Sequence, residues 1–124
     1  MHASLELAPA PESAAAARVF VDRTLRQWGC RELIDDARVV VTELVSNVIH
    51  HAGTDSDIRI ELDLDRHTIR MGVADHAGGR VVMRTSGPHA DPGGRGLHLV
   101  DGLSARWGVD QFADRKLVWA EWRA

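Results

Sequence analysis

Between residues 52 and 58 the hydrophobic period of this chain changes, and that change limits the folds open to it. Upstream, apolar residues recur every three or four positions. Over 13–27 they are Ala17, Phe20, Val21 and Leu25, followed by Trp28, and Gly29 closes the run. This spacing predicts an amphipathic helix with a glycine stop. Pro11 suits a helix start, and Glu12 in the first turn complements the helix dipole. A second helix is predicted over 32–51, stopping at Ala52-Gly53. Downstream the period is two. Ile58, Ile60, Leu62 and Leu64 alternate with Arg59, Glu61 and Asp63, the pattern of a half-buried antiparallel strand. After a turn at Asp65-Arg66-His67, a second strand over 68–75 carries Ile69, Met71 and Val73 on one face.

The remainder fits the same plan. Val81-Val82-Met83 reads as a third strand, and 85–94, with three glycines and two prolines, as a long loop of the kind that often serves as a functional lid. A short helix over 96–103 and strands over 105–109 and 117–122 complete the order. Residues 1–10 form a loose arm or short strand, and 11–124 a single domain. Two helices, a run of strands, one helix and more strands predict an α+β, two-layer α/β sandwich. Its helices pack on one face of a mixed, mainly antiparallel sheet.

Composition removes several function classes. A net charge of −3 and a pI near 6.1 leave no electrostatic footprint for nucleic acid. Cys30 is the sole cysteine, so no intrachain disulfide forms and a reducing cytoplasm is the expected setting. Residues 1–17 contain Glu6, Pro9, Pro11 and Glu12 without a basic leader, unlike a signal peptide. No apolar run reaches the roughly 18–20 residues of a membrane span. Lys116 is the only lysine, and no GxxxxGK[ST] run exists. Two ATP-binding architectures that need a lysine in a set context, the P-loop and the eukaryotic-type kinase fold, are thereby excluded.

The chemistry concentrates in two stretches. On a helical wheel of about 100° per residue, Ala37, Val41, Leu44, Val45, Val48, Ile49 and Ala52 make one apolar arc. Glu43, Asn47 and His50 form a polar stripe, flanked by Ser46 and His51 and bordered by Val39 and Val40. Glu43 suits a general base or an acceptor for a metal-bound water, or is a surface glutamate. Asn47 is a poor helix former. Its amide oxygen is a hard, neutral ligand for Mg²⁺, or is satisfied by a backbone neighbour. His50 and His51 either touch a phosphate or ribose or cap the helix end. Zinc is disfavoured, because neither HExxH nor paired-cysteine spacing occurs. Asp75 ends an apolar strand just before His76-Ala77-Gly78-Gly79; it can accept the exocyclic amine of adenine or simply begin a turn. Gly93-Gly94-Arg95-Gly96-Leu97 runs into a helix, either as a phosphate-binding helix start or as a flexible loop ending in one.

Together ELVSNVIHHA, VADHAGG and GGRGLHLV resemble the N box and the two glycine boxes of the GHKL ATPase superfamily, which shares the Bergerat ATP-binding fold. The runs ARVFVDRTLRQWG, DDARVVVTELVSNVIHHAG and ARWGVD…KLVWAEW narrow the likeness to small anti-sigma-factor serine kinases of the RsbW/SpoIIAB type, over residues 12–123. The resemblance implies an Mg-ATP-dependent protein serine/threonine kinase. In it Glu43 is the general base, Asn47 the Mg²⁺ ligand and His51 a neighbour of the phosphates or ribose. Asp75 contacts the adenine amine. Ala77 stands where the family usually has a glycine or small residue, with Gly79 following in the same base-contacting turn. Gly94, Arg95, Gly96 and Leu97 close over the triphosphate, and residues 85–92 form the ATP lid. The implied substrate is a STAS-domain anti-anti-sigma protein, the alternative partner a sigma factor, and the kinase a homodimer. A second expectation is a non-catalytic, ATP-sensing binding module of the same fold.

Overall fold

A computed structural model describes residues 1–52, 57–75, 95–111 and 115–124, the side chains of 51, 52, 95–97 and 111 excepted. The expected strand at 81–83 and the expected lid lie outside the described residues. The elements run β1 (His2–Leu7), α1 (Ser13–Gln27), a 3₁₀ turn (Arg31–Leu33), α2 (Ile34–Ala52), β2 (Ile58–Asp65) and β3 (Thr68–Asp75). Then come α3 (Arg95–Leu103), β4 (Arg106–Gln111) and β5 (Lys116–Arg123). The strands form one sheet in the order β1-β2-β3-β5-β4, and every described pairing is antiparallel. The expected α+β sandwich with a mainly antiparallel sheet is what the chain forms.

Strand alternation divides the sheet into two unlike faces. Ile58, Ile60 and Leu62 of β2, Ile69, Met71 and Val73 of β3, and Val118, Ala120 and Trp122 of β5 are all buried. They join Ala17, Val21 and Leu25 of α1 and Ala37, Val41, Leu44, Val45 and Val48 of α2 in one core. The register lines them up in rows, with Ile60 opposite Val73 and Val73 opposite Val118. Such rows bury apolar area against the helices, at roughly 25 cal/mol per Å².

Among the described residues the opposite face carries no helix, and it is tiled with charge. Arg70 lies 3.5 Å from Asp110 and 3.6 Å from Glu121, and Arg106 lies 3.7 Å from Glu121. Pairs this exposed contribute little to stability individually. Between them lies Trp119, with the Arg70 guanidinium 4.4 Å from its ring centroid, a cation–π stack. Trp119 faces Gly72 on one side and Gly108 on the other. A Cβ on Gly108 would come within 2.6 Å of the indole, and one on Gly72 within 2.8 Å of Leu117 Cδ1. The two glycines are notches that let these large side chains lie flat on the sheet.

The helix ends follow local chemistry. Cys30 N–H donates to the Leu25 carbonyl (2.8 Å) and Gly29 N–H to that of Arg26 (3.2 Å), while Gly29 takes φ 77°. This is a Schellman stop, as the glycine predicts. At the other end of α1, Glu12 stands at the N-cap position and makes no side-chain cap bond, so the first turn holds no acid. That corrects the expected dipole pairing. The link into α1 is tied by Ser13 instead, whose hydroxyl donates to the Ala8 carbonyl (2.6 Å) and accepts from Ala10 N–H (3.0 Å). The second helix also begins later than 32, because Arg31–Leu33 closes as a 3₁₀ turn, a common way to tighten a helix entry. Both β1 and the last strand reach the β2–β3 turn. Met1 exchanges bonds with Leu64, and Ala124 N–H donates to the His67 carbonyl at 2.6 Å.

Two substitutions separate steric from conformational cost. Gly108→Ala forces its methyl into Trp119 and should destabilise the protein by about 1–3 kcal/mol. Gly29→Ala meets nothing within 4 Å, so its cost is the left-handed backbone alone, about 1–2 kcal/mol. Urea unfolding measures both; a Gly108→Ala protein as stable as the wild type would mean that Trp119 moves aside freely.

Candidate functional site

One end of the sheet gathers the chain's longest connections. The final row there is Leu7, Ile58, Asp75, Lys116 and Gln111 across β1, β2, β3, β5 and β4. Segments 53–56, 76–94 and 112–114 all join the sheet at this row. Only 53–57 separate α2 from β2, so the C-terminus of α2 lies at this end; α3 passes into β4 at the opposite end through Ser104-Ala105 and packs along α2, so its N-terminus points back toward the same row. Topology thus brings together the two stretches that carry the chemistry, although they are far apart in sequence.

On α2 the polar stripe splits. Glu43 and Asn47 are half-buried, whereas Ser46 and His50 are exposed. The two valines bordering the stripe also part: Val40 is fully buried and Val39 is 40% exposed. By helical geometry the buried flank continues from Asn47 through Val40 and Leu44, so Asn47 sits at the seam between solvent and core. Glu43, four residues earlier, lines a cleft of about 480 Å³ with Arg18, Asp35, Arg38, Val39 and Thr42. Arg18 Nη1 donates to Thr42 Oγ1 at 3.0 Å, and Thr42 Oγ1 donates to the Arg38 carbonyl at 2.8 Å. Asp22 stands behind Arg38 at 4.0 Å. The Arg26 hydrogen bond is the main cause that holds its carboxyl below the usual range, so it stays ionised at neutral pH and pairs with these arginines.

Asp75 is 1% exposed at the end of β3, between Ile58 on β2 and Lys116 on β5. Arg95, Gly96 and Leu97 open α3; their side chains, like that of His51, lie outside the described residues. Ala77, Gly79 and Gly94 lie outside them altogether. The structure therefore brings Asp75, the end of α2 that carries Asn47, and the start of α3 to one end of the sheet. His50, which the wheel puts in the stripe, is exposed. Lys116 is the residue that sequence reading passed over. It is buried and shares the inward parity of Val118, Ala120 and Trp122; that parity in the KLVWAEW run was the available signal.

The far end of α3 is pinned. Trp122 Nε1 donates to the Leu103 carbonyl at 2.6 Å, Trp107 Nε1 to Asp101 Oδ1 at 2.9 Å, and Ser104 Oγ to the Val100 carbonyl at 2.6 Å. The Trp122 bond pairs a carbonyl of the last turn that the helix itself leaves open, and the Val100 carbonyl accepts from both the hydroxyl and the N–H (3.0 Å) of Ser104. With its C-terminus held, α3 presents its N-terminal amides toward the connection end, the arrangement that favours an anion.

Comparison with known proteins agrees with this architecture. The family model described as a histidine kinase-like ATPase domain matches residues 7–122. An uncharacterized protein of Streptomyces coelicolor is 40% identical over 85 residues, which are 65% of this chain and 79% of that protein. The crystal structure of the RsbU and RsbW domains of Rv1364c from Mycobacterium tuberculosis superimposes with a TM-score of 0.74 at 17% identity. The match covers 99% of this chain and 32% of that one, so this chain spans about a third of that protein's length.

The anchor of α3 is testable without a ligand. Trp122→Phe keeps the ring and removes the donor to Leu103, leaving a part-buried carbonyl unpaired. It should cost about 1–3 kcal/mol and speed amide hydrogen exchange in the last turn of α3. Unchanged exchange there would show that the bond does not hold the helix.

Proposed function

The chain belongs to the histidine kinase-like ATPase domain family, and we propose that within it this protein is an Mg-ATP-dependent protein serine/threonine kinase. Its acceptor is a serine or threonine on a STAS-domain anti-anti-sigma antagonist, and it sequesters a sigma factor when that antagonist is phosphorylated. The observation that carries this reading is the half-buried pair Glu43 and Asn47 on α2, the helix whose C-terminal end lies at the same end of the sheet as Asp75. The likeness to an RsbW-containing structure supports the same fold.

In this reading Asp75 accepts the adenine amine, and the glycines at 78 and 79 let backbone approach the base beside Ala77. The first amides of α3, with Gly94, Arg95, Gly96 and Leu97, cradle the phosphates, and His51 lies near them or the ribose. Asn47 offers one neutral oxygen to Mg²⁺. No cluster of three His, Cys, Asp or Glu among the described residues is placed to hold a metal ion. That donor set fits a cation completed by phosphate oxygens and water, as Mg²⁺ usually is. When bound, Mg²⁺ neutralises charge on the phosphate oxygens.

Glu43 serves as the base. The acceptor hydroxyl oxygen attacks the γ-phosphorus and passes its proton to the Glu43 carboxylate; the bond from that phosphorus to the bridging oxygen breaks, and ADP leaves. The active form is a homodimer, for which the exposed face of α1, with Val19 49% exposed, is the candidate surface. The setting is the cytoplasm. Among the described residues no helix is long and apolar enough to cross a membrane.

Two measurements decide it. ATP at about a hundred times its dissociation constant should add ~2.7 kcal/mol to stability, read as a thermal shift that Asn47→Ala makes insensitive to Mg²⁺. Label transfer from Mg-ATP to a STAS-domain protein should fall about 10²–10⁴-fold in Glu43→Ala with ATP binding retained. A thermal shift without any transfer by the wild type would favour the non-catalytic ATP-sensing module. Absence of the shift would remove both.

A further inference from the structure

Among the described residues only two charged side chains are buried, and they face each other. Asp75 is 1% exposed and Lys116 9%. They are direct partners in the β3–β5 register, where Cβ atoms lie about 4.5–5.5 Å apart. Both occupy the inward face, above the row formed by Val73 and Val118. Lys116 is also the only lysine in the chain; every other cationic side chain of that kind is an arginine. A lysine on a strand normally extends to water, and burying its ammonium is unfavourable unless it is paired and hydrogen-bonded. Neither side chain is without a partner.

Stability alone is a poor account of such a pair. A buried ion pair seldom stabilises a protein more than an apolar pair of similar volume would, and the rows just inward are filled by valine and isoleucine. The pair stands instead in the last row of the sheet, at the end where the proposed nucleotide site assembles. An ionised carboxylate has two acceptor oxygens and an ammonium three donors. A bond between the two uses one acceptor of Asp75 and one donor of Lys116, so the pair carries both kinds of group in one row. The row then offers an acceptor and a donor side by side. The Watson–Crick edge of adenine offers the complement: a donor at the 6-amine beside an acceptor at N1.

We propose that Lys116 is a base-reading residue, and that with Asp75 it forms a two-point reader of the adenine edge. Asp75 accepts from the 6-amine and Lys116 donates to N1. This rests on the proposed ATP site and adds to it a specificity determinant on a different strand. It also gives the single lysine a reason not to be arginine. A planar guanidinium is longer and forks its donors, whereas an ammonium is a compact point donor.

Binding of nucleotide analogues to the whole chain, measured by calorimetry, tests the inference. The wild type should bind 1-deaza-ATP, which lacks the N1 acceptor, about tenfold or more weakly than ATP, the effect of losing one buried charge-assisted hydrogen bond. Purine riboside triphosphate, which lacks the amine, should be weakened similarly through Asp75. In Lys116→Met, ATP affinity should fall and the ratio of ATP to 1-deaza-ATP affinity should collapse toward one. A purely structural lysine would weaken both nucleotides equally and leave the ratio intact, which overturns the proposal. Lys116→Gln, which keeps an N–H donor, should retain part of the ratio. Should both variants fail to fold, the analogue series on the wild type decides alone, because equal affinity for ATP and 1-deaza-ATP is incompatible with an N1 contact. Wild-type protein that binds no adenine nucleotide at all refutes the proposed function and this inference together; binding without N1 discrimination refutes only the inference.

Discussion

The arrangement at the candidate site depends on the register between β3 and β5. A slip of one residue would carry every inward side chain of β5 to the solvent face, taking Val118 and Ala120 out of the core and Lys116 away from Asp75. What fixes the register is on the outer face. At one setting of β5, Leu117 fills the notch at Gly72 on β3 and Trp119 fills the notch at Gly108 on β4. The stacked arginine and the ion pairs with Glu121 and Asp110 close around it. An aromatic ring on the far side of the sheet therefore determines which residues meet on the near side.

The helix α2 is committed twice. Its apolar arc supplies much of the core, and its flank carries Glu43 and Asn47 at the edge of the packed region. Any shift of the helix that improved packing would move both polar side chains. An asparagine in mid-helix, unfavourable by intrinsic propensity, is tolerated because the surrounding valines and Leu44 hold the helix by tertiary contacts.

Much of this was legible in the sequence, for a local reason. Strand parity in β2 and β3 and helical period in α1 and α2 are properties of short windows, and they placed Ile58 through Leu64, Ile69 through Val73, and Glu43 beside Asn47 correctly. What depends on several neighbours at once was not legible. The wheel could not rank Val39 against Val40, because which one is buried depends on α1, α3 and the sheet packing around α2 together. Glu12 looked like a first-turn acid, yet the ties made by Ser13 put the helix start after it. Lys116 went unremarked as an interior residue since its partner, Asp75, is supplied by β3, more than forty positions earlier; only the register reveals the pair. Of the glycine-rich stretch, only the helix start that follows it lies among the described residues, at Arg95.

The bonds that Met1 and Ala124 make near the Arg66–His67 turn tie β1 and β5 to the pole of the sheet opposite the row that contains Asp75. The two poles are therefore unlike in what holds them. One is closed by backbone bonds between neighbouring segments, whereas the other carries the buried charges, so a probe attached at the Arg66–His67 turn would report on the sheet without crowding the candidate site.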